Sequence, residues 1–403
     1  MVDRFVIASL AAMYAIIPLY GTFSIFAPHP PTAPLVPRPI VIAIVALLVL
    51  AMAGATIGAI RRRQPQAMHV VLLVNVVATY TGAIFGFDPV VGFFLIASGC
   101  AGCVATHFSL IAYYRAARAA HAIYFALLLS GACASLLAIG LVALKYPADL
   151  YAFDHGRAVG MFLNPNELAA YLLAYLGVSC GIAMVRRGTP IGNLAAVCSV
   201  LGVVALTLTF SRMAVIAAFC GLAFYMLVMR PRRGLIATIV VFVLAAGFNV
   251  ALAARHHDPQ DTGIRGVAWR AGITTFAHFP LTGVGPLAFE RLYPVMRAPD
   301  APGPETPVAY DPHSLPLSIA AETGAFGLAA FVLIWWCFAR AFRRAFVAAT
   351  GERRILGAAI LAGIIALLVH ALINSVSVAF PLILQFTALA LAATYWGFDP
   401  HEA

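Results

Sequence analysis

Long apolar runs separated by short polar segments dominate the chain. Each run approaches the roughly 20 residues that a helix needs to cross a bilayer. The runs lie near residues 5–26, 40–60, 70–87, 90–112, 122–143, 168–185, 194–210, 212–229, 235–254, 315–338, 355–373 and 379–397. The pattern predicts an all-α polytopic membrane protein with about twelve transmembrane helices, which form a single membrane domain over residues 1–403.

Two polar segments are longer than the other connections, at residues 144–167 and 255–312. In the second, Asp261 or Thr262 can cap a helix with one apolar stripe. The stripe is formed by Ile264, Val267, Ala268, Ala271 and Phe276. A glycine-rich turn at 282–286 and a short apolar stretch at 287–296 follow. We expect residues 255–312 to form a partly helical periplasmic cap between transmembrane helices 9 and 10.

Composition excludes a water-soluble globule, because 63% of the residues are hydrophobic and only 10% are charged. The mean hydropathy is +0.96. The formal net charge of +10 does not indicate nucleic-acid binding, since the basic residues form short clusters between spans. The seven cysteines all lie in apolar runs, which predicts neither a disulfide framework nor a thiolate metal site.

The distribution of charge predicts the orientation. Alternate loops hold every arginine doublet and triplet, at residues 61–63, 186–187, 232–233, 343–344 and 353–354, with Arg340 beside them. The positive-inside rule puts these loops and both termini in the cytoplasm. Most of the fifteen acidic residues fall on the opposite face. We therefore expect the polar chemistry on the periplasmic side.

Three arginines on that face are candidates for phosphate binding, namely Arg157, Arg212 and Arg265. A charged side chain at the depth of the membrane costs free energy, so its presence there indicates a function. The planar guanidinium group also matches the geometry of phosphate oxygens. Convergence of the three would form a pyrophosphate site. Alternative interpretations remain: a solvated loop charge for Arg157, a snorkelling boundary residue for Arg212, and for Arg265 an exposed helix charge paired with Asp261.

A histidine stands at the start of the tenth predicted span, in the segment Asp311-Pro312-His313-Ser314. Asp311 as N-cap and Pro312 as first helical residue would place His313 in the first turn of a helix. The positive end of a helix disfavours imidazolium, so a neutral imidazole could act as a general base on a sugar hydroxyl. The alternative is an interfacial histidine that only hydrogen-bonds the loop.

Other polar residues near these candidates are assigned weaker roles. Tyr310 and Asp311 are supporting candidates, and Asp311 could orient His313. Asn374 and Ser375, at the end of the eleventh predicted span, are interpreted as structural.

Five motifs in order along residues 156–327 resemble those of the bacterial O-antigen ligase family, within the O-antigen ligase and polymerase superfamily of lipopolysaccharide biosynthesis. The most specific is His313-Ser314, nine residues, Gly324, two residues, Gly327. The others are Arg157 with Gly160 and 164–166, Ser211-Arg212, Arg265 with Trp269, and 283–285.

The resemblance implies a glycosyltransferase C-like membrane fold in the inner membrane of a Gram-negative bacterium. It implies en bloc transfer of a glycan from undecaprenyl pyrophosphate to a sugar hydroxyl of lipid A-core, with inversion and without metal or cofactor. His313 would activate the acceptor, and Arg212 and Arg265 would hold the pyrophosphate. The implied substrate-binding residues are Arg157, Asn166, Trp269, Tyr310, Asp311 and Ser314.

Three alternatives stay open. An O-antigen polymerase and a protein O-oligosaccharyltransferase of the same superfamily share the donor chemistry and differ in the acceptor. A transporter of lipid-linked sugars would use intramembrane arginines along a pathway. A transporter is disfavoured because the sequence shows neither an internal repeat nor matched broken helices.

Overall fold

The computed structural model describes residues 2–16, 18, 67–86, 106–107, 109–114, 119–146, 156–162, 164–230, 247, 259–286, 288–296, 311–374 and 379–398, with parts of 49–60. These residues contain helices and connecting turns and no strand. The helices whose bounds are defined are α1 (Val2–Ala15), α2 (Ala67–Ile84), α3 (Ala119–Leu144), α4 (Pro165–Val185), α5 (Pro190–Leu208), α6 (Arg212–Met229), α7 (Pro259–His278), α8 (Phe289–Met296), α9 (Leu315–Ala348), α10 (Gly351–Ala371) and α11 (Ala379–Trp396).

Within the described ranges, six helices are long and apolar enough to cross a membrane, namely α3, α4, α5, α6, α9 and α10. The chain is therefore an all-α multi-pass membrane protein. Their bounds agree with the predicted spans to within about four residues, except at the end of α9. The predicted first span, 5–26, differs because α1 ends at Ala15. The predicted span at 235–254 lies outside the described ranges apart from residue 247.

Side-chain caps start three of these helices where the sequence offers Asn, Thr or Ser. The Asn164 side chain accepts the backbone N–H of Asn166 at 2.8 Å, and Pro165 follows as the first residue of α4. Thr189 caps α5 in the same way, and Ser211 caps α6. These side chains satisfy N–H groups that have no partner inside the helix.

Helices α4 and α10 form the centre of the bundle. In their most apolar stretches, 67% of the residues of α4 and 72% of those of α10 are buried, against 28% to 39% in the other four spans. Gly177 of α4 and Gly363 of α10 allow the backbones to approach closely, since a Cβ on Gly177 would lie 2.7 Å from the Ala359 carbonyl oxygen. Helix α10 also packs against α6 and α11. The polar end of α10 is thus held between α4 and α6.

The structure just after the predicted tenth span contradicts one interpretation of the sequence. Residues Arg340, Arg343 and Arg344 were expected in a loop, but α9 continues to Ala348. The connection to α10 consists of residues 349–350, so Arg353 and Arg354 are helical as well. The amphipathic end of α9 explains the difference, because Phe338, Phe342 and Ala345 are buried at helical spacing beside these arginines.

The segment between the sixth helix and α9 contains two helices that pack on α9. Helix α7 begins at Pro259, slightly before the caps expected at Asp261 or Thr262. Its buried residues Val267, Ala268 and Ala271 form one cluster with Phe289 and Tyr293 of α8 and Ala321 of α9. The predicted apolar stripe is confirmed at these three positions. The stripe orients α7 so that its polar residues border the start of α9.

Helix α9 is interrupted at Gly324, which has φ 65° and ψ −164°. Before the interruption, the carbonyls of Ala321 and Glu322 leave the helical hydrogen-bond pattern. They accept the backbone N–H groups of Val284 and Gly285 at 3.0 and 2.9 Å. The glycine-rich turn that the sequence singled out therefore docks into the broken helix.

The amides after the interruption are satisfied by the same turn. The N–H of Ala325 donates to the Pro280 carbonyl at 2.8 Å, and that of Phe326 donates to the Leu281 carbonyl at 3.4 Å. The turn at 280–285 thus replaces hydrogen bonds that α9 would have made within itself. This arrangement fixes the first half of α9, and with it the segment around His313, relative to α7.

Replacing Gly324 with alanine is expected to lower the free energy of unfolding by about 2 kcal/mol. The positive φ disfavours any L side chain, and a Cβ would clash with the carbonyl of Leu281. Denaturant titration in detergent measures the effect. Gly140 of α3 is the matched control, because a Cβ there meets nothing within 4 Å and should be neutral or stabilising. Equal stability of the two variants would contradict this role for Gly324.

Candidate active site

The short connection between α5 and α6 places an arginine at a helix start. Only residues 209–211 separate Leu208 from Arg212, and Phe210 adopts a positive φ of 48°. The Ser211 hydroxyl accepts the Ala214 N–H at 3.4 Å and so caps α6. The tight turn directs Ser211 and Arg212 towards the start of α4.

A chain of hydrogen bonds links this turn to Arg157. The Ser211 hydroxyl donates to Oδ1 of Asn166 at 3.0 Å, and an Nη of Arg157 reaches the same oxygen at 3.5 Å. The Arg157 Nε donates to the Thr209 carbonyl at 2.8 Å. The structure thus brings Arg157, Asn166 and the Ser211-Arg212 pair together, although they come from three separate segments of the chain.

Arg212 occupies a position that is electrostatically unfavourable for a cation. It is the first residue of α6, where the helix dipole disfavours positive charge by about 0.3–1 kcal/mol. The side chain is half-buried, and within the described ranges no hydrogen bond or ion pair engages it. A helix start combined with a guanidinium is an arrangement suited to an anion.

Arg265 and Trp269 lie one turn apart on α7, so they share a face of that helix. Arg265 is half-buried and close enough to His370 of α10 to act on it electrostatically. The indole Nε1 of Trp269 donates to the backbone carbonyl of His313 at 3.3 Å. The indole of Trp269 on this face of α7 therefore holds the backbone of His313.

His313 corrects a second sequence interpretation, because it does not lie in the first turn of a helix. Helix α9 begins at Leu315, with Ser314 as N-cap and Pro316 near its start. Asp311 does not cap the helix; its carboxylate accepts the His313 N–H at 2.6 Å. This contact forms a local turn that competes with helix and delays its start.

The backbone of His313 is held on both sides by side chains. Asp311 accepts its N–H, and Trp269 donates to its carbonyl. His313 has a φ of 49°, a left-handed conformation that is rare for residues other than glycine and often occurs at functional sites. Its side chain is 34% exposed, and its Nδ1 lies 3.8 Å from the Asp311 carboxylate. The imidazole is thus presented at the surface from a restrained backbone.

If the protein catalyses the glycan transfer that the sequence resemblance implies, replacing Trp269 with phenylalanine should lower the turnover rate about tenfold while donor affinity stays unchanged. The variant keeps an aromatic ring but loses the N–H that holds the His313 carbonyl. Steady-state transfer kinetics measure the effect. The control is Trp336→Phe, at a residue that is 62% exposed on α9. An equal effect in both variants would show that the hydrogen bond does not position His313.

The sequence analysis missed His370. This residue is fully buried near the end of α10, and its Nε2 lies 3.5 Å from the Ser211 hydroxyl and 3.3 Å from Nδ2 of Asn374. An ionisable side chain in an otherwise apolar run was the signal that could have identified it. Asn374, interpreted as structural, is part of this contact.

The remaining predicted residues are placed as follows. Ser314 caps α9 without a side-chain hydrogen bond to its backbone. Tyr310 and Ser375 lie outside the described ranges. The structure therefore brings Arg157, Asn166 and Ser211 together beside Arg212, and separately brings Trp269 of α7 to the backbone of His313.

Comparison with known families identifies this part of the chain. Residues 197–332 match the family described as O-Antigen ligase. This part of the chain is similar to O-antigen ligases. This match confirms the resemblance and covers Arg212, Arg265, Trp269 and His313. No curated protein matches the chain. Arg157, Asn166 and His370 lie outside the matched part of the chain but contact or approach its residues.

Proposed function

We propose that this protein is an O-antigen ligase that transfers a glycan en bloc from undecaprenyl pyrophosphate to a sugar hydroxyl of lipid A-core. The observation that carries the proposal is the cationic start of α6. There Ser211, which directly precedes Arg212, is joined to Arg157 through Asn166. Such a group suits the two phosphates of the donor better than a neutral sugar.

In the proposed reaction the arginines stabilise the leaving group. The acceptor oxygen forms a bond to the anomeric carbon while the bond from that carbon to the phosphate oxygen breaks. Negative charge then grows on the pyrophosphate, where Arg212 and Arg265 offset it. Direct displacement inverts the anomeric centre. The guanidinium groups supply this charge stabilisation in a mechanism that we propose to be independent of metal ions.

His313 is the proposed general base. Its imidazole takes the proton of the acceptor hydroxyl as the new glycosidic bond forms. The side chain is partly exposed, and Asp311 and Trp269 hold its backbone, which supports a role at a site open to a large acceptor. Asp311, Trp269, Ser314 and Tyr310 complete the proposed substrate-binding residues, together with Arg157 and Asn166.

The proposed setting is the inner membrane of a Gram-negative bacterium, with about twelve spans, both termini in the cytoplasm and the active site on the periplasmic side. We propose that residues 255–312 form the periplasmic cap. The arginine clusters near the ends of alternate spans support this orientation. The packing of α7 and α8 on the start of α9, next to His313, supports a cap that borders the site.

Reconstitution tests the function directly. The purified protein in liposomes is incubated with a glycan linked to undecaprenyl pyrophosphate and with lipid A-core. We expect glycan-capped lipid A-core with inverted anomeric configuration, unchanged by a metal chelator. A mixture without lipid A-core is the control. Absence of product despite an active reference ligase would overturn the proposal.

Expression in a ligase-deficient Gram-negative strain separates the related activities. Restored capping of lipopolysaccharide supports the ligase. Longer glycan on the undecaprenyl carrier without capping would instead identify a polymerase. Glycan on Ser or Thr of a protein would identify a protein O-oligosaccharyltransferase.

A further inference from the structure

A buried histidine outside the matched family range contacts the start of α6. His370 is fully buried near the end of α10, between α4 and α6. A polar ring in an apolar helix is costly unless its nitrogens have partners or a function. Its Nε2 lies 3.5 Å from the Ser211 hydroxyl and 3.3 Å from Nδ2 of Asn374. The ring therefore meets the residue directly before Arg212.

The hydrogen bonds around Ser211 make His370 the end of a continuous series. Ser211 donates to Asn166 at 3.0 Å, and Asn166 also accepts from Arg157. The same hydroxyl caps the start of α6. A change at His370 can thus move both the Arg212 backbone and the amide that holds Arg157.

The two ring nitrogens of His370 have different surroundings. The Ser211 hydroxyl donates its one proton to Asn166, so its contact with His370 requires the tautomer in which Nε2 carries the hydrogen and donates to the Ser211 oxygen. The Asn374 side chain can turn its oxygen, which has no other hydrogen-bond partner among the described residues, towards the same N–H. Nδ1 has no hydrogen-bond partner among the described residues. The two nitrogens can therefore be tested separately, since glutamine places its amide near the Nε2 position and asparagine near the Nδ1 position.

We propose that His370 is a positioning residue for the arginine group, acting through Nε2 on Ser211 and Asn166. The proposal rests on the proposed function, in which that group binds the donor pyrophosphate. Asn374 holds the ring from the other side.

The experiment compares His370→Gln, His370→Asn and His370→Phe in transfer kinetics with the full-length protein. We expect His370→Phe and His370→Asn to raise KM for the undecaprenyl-pyrophosphate donor about tenfold, with kcat within about threefold of the original. His370→Gln should stay within about threefold in both. A merely structural role would lower the active fraction, which reduces kcat and leaves KM unchanged.

Contrary outcomes are distinct. If His370→Asn restores donor KM and His370→Gln does not, Nδ1 contacts the ligand and the positioning proposal is wrong. If His370→Gln is as impaired as His370→Phe, or if all three behave like the original protein, the proposal is also wrong. His121→Gln serves as control, because this histidine packs on Phe398 near the opposite end of α4.

Ser211→Ala provides a test that leaves His370 intact, in case the buried substitutions prevent folding. It removes the hydroxyl between His370 and Asn166 and should raise donor KM about tenfold. When both variants fold, Ser211→Ala combined with His370→Phe should be no worse than the poorer single variant, since the two act on one contact. An unchanged donor KM in Ser211→Ala, or additive losses, would overturn the proposal.

Direct binding of undecaprenyl pyrophosphate to the purified protein distinguishes a failure of the proposed function from a failure of the proposed role of His370. If the original protein does not bind this lipid, the proposed function fails. If it binds the lipid and the His370→Phe variant binds equally well, only the role of His370 fails.

Discussion

His313→Ala is expected to reduce the rate of glycan transfer by about 10²–10⁴-fold while binding of undecaprenyl pyrophosphate stays within about threefold. The variant removes the group that takes the acceptor proton and leaves the arginine group in place. The hydrogen bonds from Asp311 and Trp269 engage the backbone of His313, so the local fold should persist. Transfer kinetics and a separate lipid-binding measurement check the two parts of the expectation.

Two further variants make this test specific. His313→Gln keeps a hydrogen-bonding side chain that cannot accept the proton, and it should be nearly as impaired as alanine. His278→Ala removes an exposed histidine at the end of α7 and should keep full activity. Normal transfer by a well-folded His313→Ala protein would remove this residue from the mechanism.

Arg212→Lys and Arg265→Lys are each expected to lower the transfer rate about 10²-fold. Lysine keeps the charge but loses the planar pair of donors that binds two phosphate oxygens at once. Arg212 should show the effect on donor KM and on kcat together. In the proposed mechanism, its location at the start of α6 would serve both the bound and the leaving pyrophosphate.

Arg187→Lys is the matched control, because Arg187 is exposed just beyond α4, about 30 Å from Asn166 along that helix. This variant should transfer glycan at the original rate. Unchanged transfer by Arg212→Lys and Arg265→Lys would contradict a pyrophosphate site. Loss in all three variants would point to a general effect of lysine on folding or insertion.

The kink in α9 gives the spacing of the His313 motif a physical interpretation. The turn at 280–285 docks into the interruption of α9 at Gly324. The helical residues that precede Gly324 begin directly after the His313 segment. A fixed number of residues between the two points sets where the histidine emerges relative to α7. The prediction for Gly324→Ala therefore concerns stability first and the placement of His313 second.

Local residue patterns determined most of the helices. The apolar runs predicted α3, α4, α5, α6, α10 and α11 closely, because run length and capping residues are local properties. The predicted span gave the start of α9 at residue 315, but the cap was mispredicted, since Asp311 had two possible hydrogen-bond partners. Its carboxylate bonds the His313 N–H instead of capping a helix, and the sequence does not decide between these turns.

The sequence by itself determined that the protein is an all-α membrane protein, and it predicted the arginines and His313 as candidate site residues from their chemistry and motifs. Only the tertiary structure decided which polar groups meet. Ser211 contacts Asn166 across 45 residues and His370 across 159, and these contacts depend on the packing of α10 against α4 and α6. Apolar patterns specify that helices are buried in membrane or protein, but backbone proximity and side-chain complementarity decide which helices become neighbours.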